Sequence, residues 1–337
     1  MIPLKDTFWQ SESWQQQMSG MIRDPIQLLH RLDLNPIDHP FSSDAIQQFP
    51  LRVTEAFVAK MAKGDWNDPL LLQVMPLHAE SNEHLGYVND PLEESLANPV
   101  PGLIHKYHGR VLLITSPACA IHCRYCFRRN FPYDANNPSQ RDWKNAIDYI
   151  SERPDISEVI LSGGDPLSAP DEYLQKLLTQ IAAIPHVTTL RLHTRLPLVL
   201  PARVTPALID VLKNNRLRIV IVIHCNHANE IDEHTTTALA ALHSAGFTLL
   251  NQSVLLKGIN DNVDTLVVLS LRLFEVNVMP YYLHLLDKVR GAAHFEIDEE
   301  QAKFLMNGIL SRLPGYLVPR LVIEEPGATS KRPLALS

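Results

Sequence analysis

From about residue 110 the chain alternates β-branched apolar runs with amphipathic helical stretches, and few folds accept that rhythm. Residues 111–115 form an apolar, β-branched run, and 140–151 read as a helix. A short strand at 158–161, a helix at 171–184 and a strand at 189–193 follow. Thr205 and Pro206 pair as N-cap and first-turn residue, and Ala207, Leu208, Val211 and Leu212 share one helical face. Residues 218–223 read as a buried strand, and 229–245 as a helix ended by Gly246. Strand, helix and strand recur at 247–253, 261–275 and 277–282, and a helix at 298–310 precedes a last strand at 316–323. Six strand–helix alternations predict an α/β fold, with a parallel sheet covered by helices.

The residues capable of chemistry interrupt this rhythm just after the strands. They fall at 119–126, Ser162 to Asp165, His193 to Arg195, His224 to His227, Asn251 to Ser253, and Tyr281 to Asp287. Strand carboxyl ends build the active sites of α/β barrels, and doubly wound open sheets use the same edge. Six segments agreeing on one edge locate a site without choosing between those architectures.

Composition narrows the class of protein. Of 337 residues, 45% are hydrophobic and 20% charged, which excludes a disordered or fibrous chain. A net charge of −7 argues against bulk nucleic acid or an anionic membrane as partner. The first residues lack the apolar core of a signal peptide, and the longest apolar runs are strand-length, so a cytoplasmic location is expected. Residues 1–100 are rich in Gln, Asp and Pro, with short helical patterns at 25–34 and 43–63, and read as a helical N-terminal extension.

Three of the 4 cysteines lie together as Cys119, Cys123 and Cys126, a C-x₃-C-x₂-C spacing. Three thiolates on one loop can hold three corners of a cubic iron–sulfur cluster and leave one iron open to a ligand. A structural zinc with His122 or His224 as fourth ligand satisfies the same spacing.

The loop, with Tyr125 just before its last cysteine, resembles the signature of the radical S-adenosylmethionine enzymes. The resemblance implies a [4Fe–4S] cluster on Cys119, Cys123 and Cys126, with S-adenosylmethionine chelated to the open iron. It also implies a partial (β/α)6 TIM-like barrel over 101–315, between the extension over 1–100 and a C-terminal strand and lysine segment over 316–337. Ser162 to Asp165 resembles the family's Gly-Gly-Glu element, here ending in Asp. Gly163 and Gly164 are expected to let the backbone approach the methionine moiety, and Asp165 to pair with its ammonium.

Lys331 stands in a Gly- and Ser-containing tail, where composition alone reads a solvated side chain. Over about residues 95–333, however, the chain is similar to lysine 2,3-aminomutases. The matching segments include Lys106, Tyr107 and Arg110, the cysteine loop with Arg128 and Arg129, the Ser162–Asp165 turn, His224 to Glu230, Asn251 to Leu256, Pro280 to Tyr282, and the terminal Pro-Gly and Lys331. The resemblance implies that Lys331 carries pyridoxal 5′-phosphate as a Schiff base, with Arg332 a cation able to aid its nucleophilicity. Lys106 and Arg110 would hold the cofactor phosphate, with Tyr107 beside them. Arg128 would fork onto the substrate carboxylate. Asp287 and Glu324 would face the side-chain ammonium of L-lysine. Ser162, His224 and Gln252 are implied S-adenosylmethionine contacts.

Clostridial-type members carry aspartate at both ammonium positions and a zinc site completed by a C-terminal extension. Here Glu324 stands at one position, no zinc is expected, and Cys225 reads as a small buried residue. The short form resembles the bacterial branch that makes β-lysine for elongation factor P, which a separate ligase attaches. The implied activity is that of an isomerase converting L-α-lysine to β-lysine, served by a flavodoxin- or ferredoxin-like electron donor and assembled as a homo-oligomer. Two other readings stay open: an aminomutase for another amino acid, and a non-catalytic iron–sulfur or zinc scaffold that docks on a translation factor.

Overall fold

A computed structural model of the chain describes residues 8–37, 42–136 and 143–335. Its strands are β1 (Leu103–Tyr107), β2 (Arg110–Ser116), β3 (Glu158–Gly163), β4 (Thr189–Thr194), β5 (Arg218–Ile223), β6 (Thr248–Val254), β7 (Met279–His284), β8 (Arg320–Ile323) and β9 (Arg332–Pro333). They form one sheet in chain order. β2 to β8 run parallel, while β1 and β9 pair antiparallel with β2 and β8. At ~4.8 Å per neighbour, a flat sheet would set β1 and β8 roughly 34 Å apart. Lys106 of β1 nevertheless lies 2.7 Å from Glu324, one residue past β8. The sheet is therefore curled until its edges meet through side chains, giving the expected partial barrel.

The helices before the sheet are α1 (Trp14–Ser19), α2 (Pro25–Arg31), α3 (Ser43–Gln48) and α4 (Glu55–Val58). Six crossovers carry the rest: α5 (Tyr133–Asn136) and α6 (Trp143–Ser151), α7 (Asp171–Ala182), α8 (Leu196–Val199) and α9 (Pro206–Lys213), α10 (Glu233–Ser244), α11 (Val263–Glu275) and α12 (Glu299–Leu310). Of the helix expected at 140–151, residues 140–142 lie outside the described residues. In β5, Ile219, Ile221, Val222 and Ile223 are buried, as a strand covered on both faces requires. Thr205, Asp232, Asn262 and Asp298 each cap a helix by accepting from the N–H three residues on.

Three expectations are corrected. The helix expected from 229 starts at Glu233, because Asp232 caps it and the buried Glu230 carboxylate instead binds the backbone N–H groups of Asn226 (2.9 Å) and His227 (3.1 Å). The stretch at 43–63 breaks into two short helices, since Pro50 has no N–H and drives Phe49 into extended backbone. β1 and β9 arise where no strand was read.

The described residues before β1 do not form a peripheral layer. Leu28, Leu51, Phe57 and Leu70 share one hydrophobic cluster with Val111, Leu161, Leu192 and Ile221 of the sheet. This leader also clasps the cysteine loop. Buried Arg124 donates to both Glu80 oxygens, at 2.9 and 2.6 Å, and Arg129 donates to one of them at 2.8 Å. The N–H groups of His122 and Arg124 donate to the carbonyls of Arg52 and Gln73, both at 2.9 Å. Glu80→Ala would leave two buried guanidinium groups without their anion. It is expected to destabilise the cofactor-free protein by about 3–5 kcal/mol in denaturant unfolding. Glu55→Ala, which removes the more exposed pair with Arg31, should cost under ~1 kcal/mol. Equal costs for the two variants would refute the clasp.

Candidate active site

The carboxyl ends of the strands surround a cavity of about 1010 Å³. Every site residue expected from sequence lines it, from Lys106 on β1 to Lys331 beside β9. Arg332 does not: it forks onto Glu325 at 2.9 and 3.0 Å on the exposed side. Successive residues face opposite ways here, so Lys331 points inward and Arg332 outward, where its pairing with Glu325 keeps it from assisting Lys331.

The turn after β3 is packed tightly against the cysteine loop. A Cβ on Gly164 would lie 2.5 Å from the Ala118 carbonyl oxygen. A Cβ on Gly163, whose φ is +119°, would lie 2.8 Å from the Ser116 oxygen. The glycines thus let β3 pack against residues 116–118, the entry to the cysteine loop. The N–H groups of Gly164 and Asp165 donate to Ser116 and Ala118 at 2.7 and 2.8 Å. The Asp165 carboxylate accepts from Thr194 Oγ1, Leu167 N and Arg195 N, so the protein itself fills its acceptor positions. Those bonds fix the turn, and the residue still lines the cavity. Burial pushes its carboxyl up to about 6.

Cys119, Cys123 and Cys126 are free thiols. Burial, then the neighbouring Cys123, pushes Cys126 up to about 11. Among the described residues no three Cys, His, Asp or Glu side chains converge on one metal ion. Cysteines spread along a cavity wall suit a multi-iron cluster instead, in which each thiolate binds its own iron. A guanidinium faces them: Arg195 Nη1 donates to Cys123 Sγ at 2.7 Å. His122 is held away by the Pro50 carbonyl, at 2.7 Å from its Nδ1, and stacks on Phe49.

At the seam between the sheet edges, Glu324 accepts from Lys106 and from Lys331. Burial pushes Glu324 up, but Lys331 and Lys106 outweigh it and hold the carboxyl well below its ordinary value. Arg110 lies across the Tyr107 ring, 4.7 Å from its centroid, and among the described residues pairs with no carboxylate. A cation without an anion at a cavity wall fits a phosphate. The Tyr107 hydroxyl and Nε2 of His193 and His284 are buried without a hydrogen-bond partner. Orphaned polar atoms of this kind fit a polar ring such as that of pyridoxal phosphate.

Arg128 is already engaged by Glu94, at 2.8 and 2.7 Å, and by Ser162 Oγ at 3.0 Å. Two of its five N–H groups remain for a substrate carboxylate. His224 contacts Gln252 at 2.8 Å. Burial, with Arg195, Lys331 and Arg128 nearby, lowers His224 to about 3, so its ring is neutral at physiological pH. Sequence reasoning assigned no role to Glu80, Glu94, Gln73, Arg195 or Glu230. The first three lie in the leader, where no local pattern marks them. Arg195 was placed on the right edge but without a partner.

Residues 113–268 match the model of the radical SAM superfamily. The chain is 48% identical over 326 residues to the L-lysine 2,3-aminomutase of Escherichia coli strain K12, covering 96% of this chain and 95% of that one. It is 46% identical to the enzyme of that name from Buchnera aphidicola, over 95% of this chain and 94% of its relative. The enzyme of that name from Clostridium subterminale is 35% identical, over 98% of this chain and 79% of that one. The chain belongs to the lysine 2,3-aminomutase family of radical S-adenosylmethionine enzymes.

That membership brings with it a [4Fe–4S] cluster and S-adenosylmethionine, and it places the protein among isomerases. The reading as a non-catalytic scaffold is set aside. Among the described residues no helix is long and apolar enough to cross a membrane. In this aminomutase the glycine turn and the cluster loop are packed backbone to backbone, which makes a direct test. Gly164→Ala must displace residues 117–118. Iron and sulfide per chain after reconstitution should fall severalfold, while Gly315→Ala, with open space around its Cβ position, should keep its full cluster.

Proposed function

We propose that the protein is an L-lysine 2,3-aminomutase that carries pyridoxal 5′-phosphate on Lys331 and converts L-α-lysine to β-lysine. The observation that carries this reading is the pairing of Lys331 with Glu324, in a cavity whose wall also holds Asp287. One amine can hold a carbonyl cofactor, and two acids stand where a second amine can be received. The printed name of the relatives supports lysine as the substrate. The cluster with S-adenosylmethionine supplies a carbon radical able to remove an unactivated hydrogen, and pyridoxal phosphate supplies the carbonyl that lets nitrogen migrate.

The protein's share is placement. Lys106, Arg110 and Tyr107 would hold the cofactor phosphate, and Arg128 would offer its two remaining N–H groups to the substrate carboxylate. Once the Lys331 nitrogen is tied to the cofactor, Glu324 lacks one of its two cations. The side-chain ammonium of lysine restores that pairing. Ser162, His224 and Gln252 would contact S-adenosylmethionine, with His224 kept neutral. Greater identity to the Escherichia coli chain than to the clostridial one supports the short branch. On that reading β-lysine goes to elongation factor P through a separate ligase, with a flavodoxin- or ferredoxin-like donor, in the cytoplasm.

The test is anaerobic turnover with reductant, S-adenosylmethionine and pyridoxal phosphate, comparing lysine, ornithine and glutamate. Lysine should be preferred, and its being the poorest of the three would overturn the assignment. Lys331→Ala should lose both turnover and the absorption of lysine-bound pyridoxal phosphate while keeping its cluster. A pH dependence follows as well. Burial and the nearby Glu324 push Asp287 up to about 7. The acid is neutral below that value, and only its ionised form attracts an ammonium. KM for lysine should therefore rise as pH falls below 7, approaching ~tenfold per unit. Asp287→Asn should flatten that profile and raise KM at pH 8 by roughly 30-fold or more, the effect of ~2–5 kcal/mol lost from a buried charge pair.

A further inference from the structure

Arg195 closes β4 and carries a set of contacts that the proposed reaction does not use. Its backbone N–H donates to Asp165 at 2.7 Å, which fixes where the side chain starts. Nη1 donates to Cys123 Sγ at 2.7 Å, and Nη2 donates to Gln73 Oε1 at 2.5 Å and to Glu230 Oε2 at 3.0 Å. The residue is 6% exposed. Water therefore does little to screen its charge from the sulfur.

Glu230 is the counter-charge. It is fully buried, and its other oxygen accepts from Gln73 Nε2 at 3.2 Å and from the N–H groups of Asn226 and His227. Those donors hold the carboxylate in place without help from Arg195. The pair is thus built with the cation at the sulfur and the anion behind it.

Reduction adds one electron to the cluster from an external one-electron donor, with no bond made or broken, and raises the negative charge on the cluster and its thiolates. A buried cation donating to one thiolate stabilises that state more than the oxidised one, since hydrogen bonds to sulfur and local charge set iron–sulfur potentials. We propose that Arg195 raises the reduction potential of the cluster on Cys119, Cys123 and Cys126, with Glu230 as the counter-charge that limits the rise. The proposal rests on the cluster alone and not on pyridoxal phosphate or lysine.

The test is an electron-paramagnetic-resonance redox titration of anaerobically reconstituted full-length protein, without lysine or pyridoxal phosphate. Arg195→Gln should lower the midpoint, giving about tenfold less reduced cluster at a fixed poise, which is ~59 mV for a one-electron couple. Glu230→Gln should shift the midpoint the other way. Opposite shifts are not a signature of general damage near the site. Where Arg195→Gln fails to take up iron, Arg195→Lys keeps the charge, loses the fixed fork, and should fall below wild type but above the midpoint expected for Arg195→Gln. Unchanged midpoints with intact clusters, or shifts of the same sign in the Arg195 and Glu230 variants, would overturn the proposal. A wild-type protein that takes up no cluster would instead refute the site reading beneath it.

Discussion

Seven parallel strands laid down in chain order impose the rest of this structure. A parallel neighbour can be reached only by a crossover on the outside, so all seven of these strands end on the same side of the sheet. Residues that follow strands in sequence are thereby gathered at one edge in space. Curling the sheet adds a second effect: Lys106 and Glu324, 218 residues apart, become partners across the seam. The seam is joined by charges rather than backbone pairing, so it can respond to what the cavity holds.

The cysteine loop would be mobile on its own, as connecting segments usually are. Here buried acids pin it from several directions. Glu80 takes Arg124 and Arg129, Glu94 takes Arg128, and Glu230 takes Arg195, whose other nitrogen reaches Cys123. Buried ion pairs are a poor source of stability, because desolvation opposes the Coulomb gain. Their use here is geometric: each guanidinium fits its carboxylate in few orientations, so three thiols are held for a cluster before any iron arrives. Glu80 and Glu94 come from the leader, which is why that segment shares the sheet's core instead of lying outside it.

The alternation that marks the parallel strands was readable because burial on both faces demands runs such as 218–223, and because caps such as Asn262 and Asp298 are local signals. β1 and β9 were not readable. β9 is only two residues long, and β1 mixes Leu103 and Ile104 with His105 and Lys106, so neither carries a strand pattern. The site residues were readable as far as they lay just after strands. Their charge partners were not, since Glu94 and Gln73 meet the loop only through the fold. Asp165 carries a structural role that no local pattern shows. Its position after two glycines points to a ligand contact, and its oxygens also accept from Thr194, Leu167 and Arg195, partners that only the fold supplies.

Glu324 joins these points. The Glu324 side chain reaches two amines from opposite sides of the seam. One is the Lys106 ammonium at 2.7 Å, and the other is that of Lys331 on the returning hairpin. Removing one methylene would draw the carboxylate back by about one carbon–carbon bond, ~1.5 Å. It would then have to give up one lysine or pull the edges closer. The length of the glutamate is therefore matched to the width of the seam. A carboxylate so placed ties together the strand that begins the sheet, the hairpin that ends it and the amine on which the proposed chemistry depends.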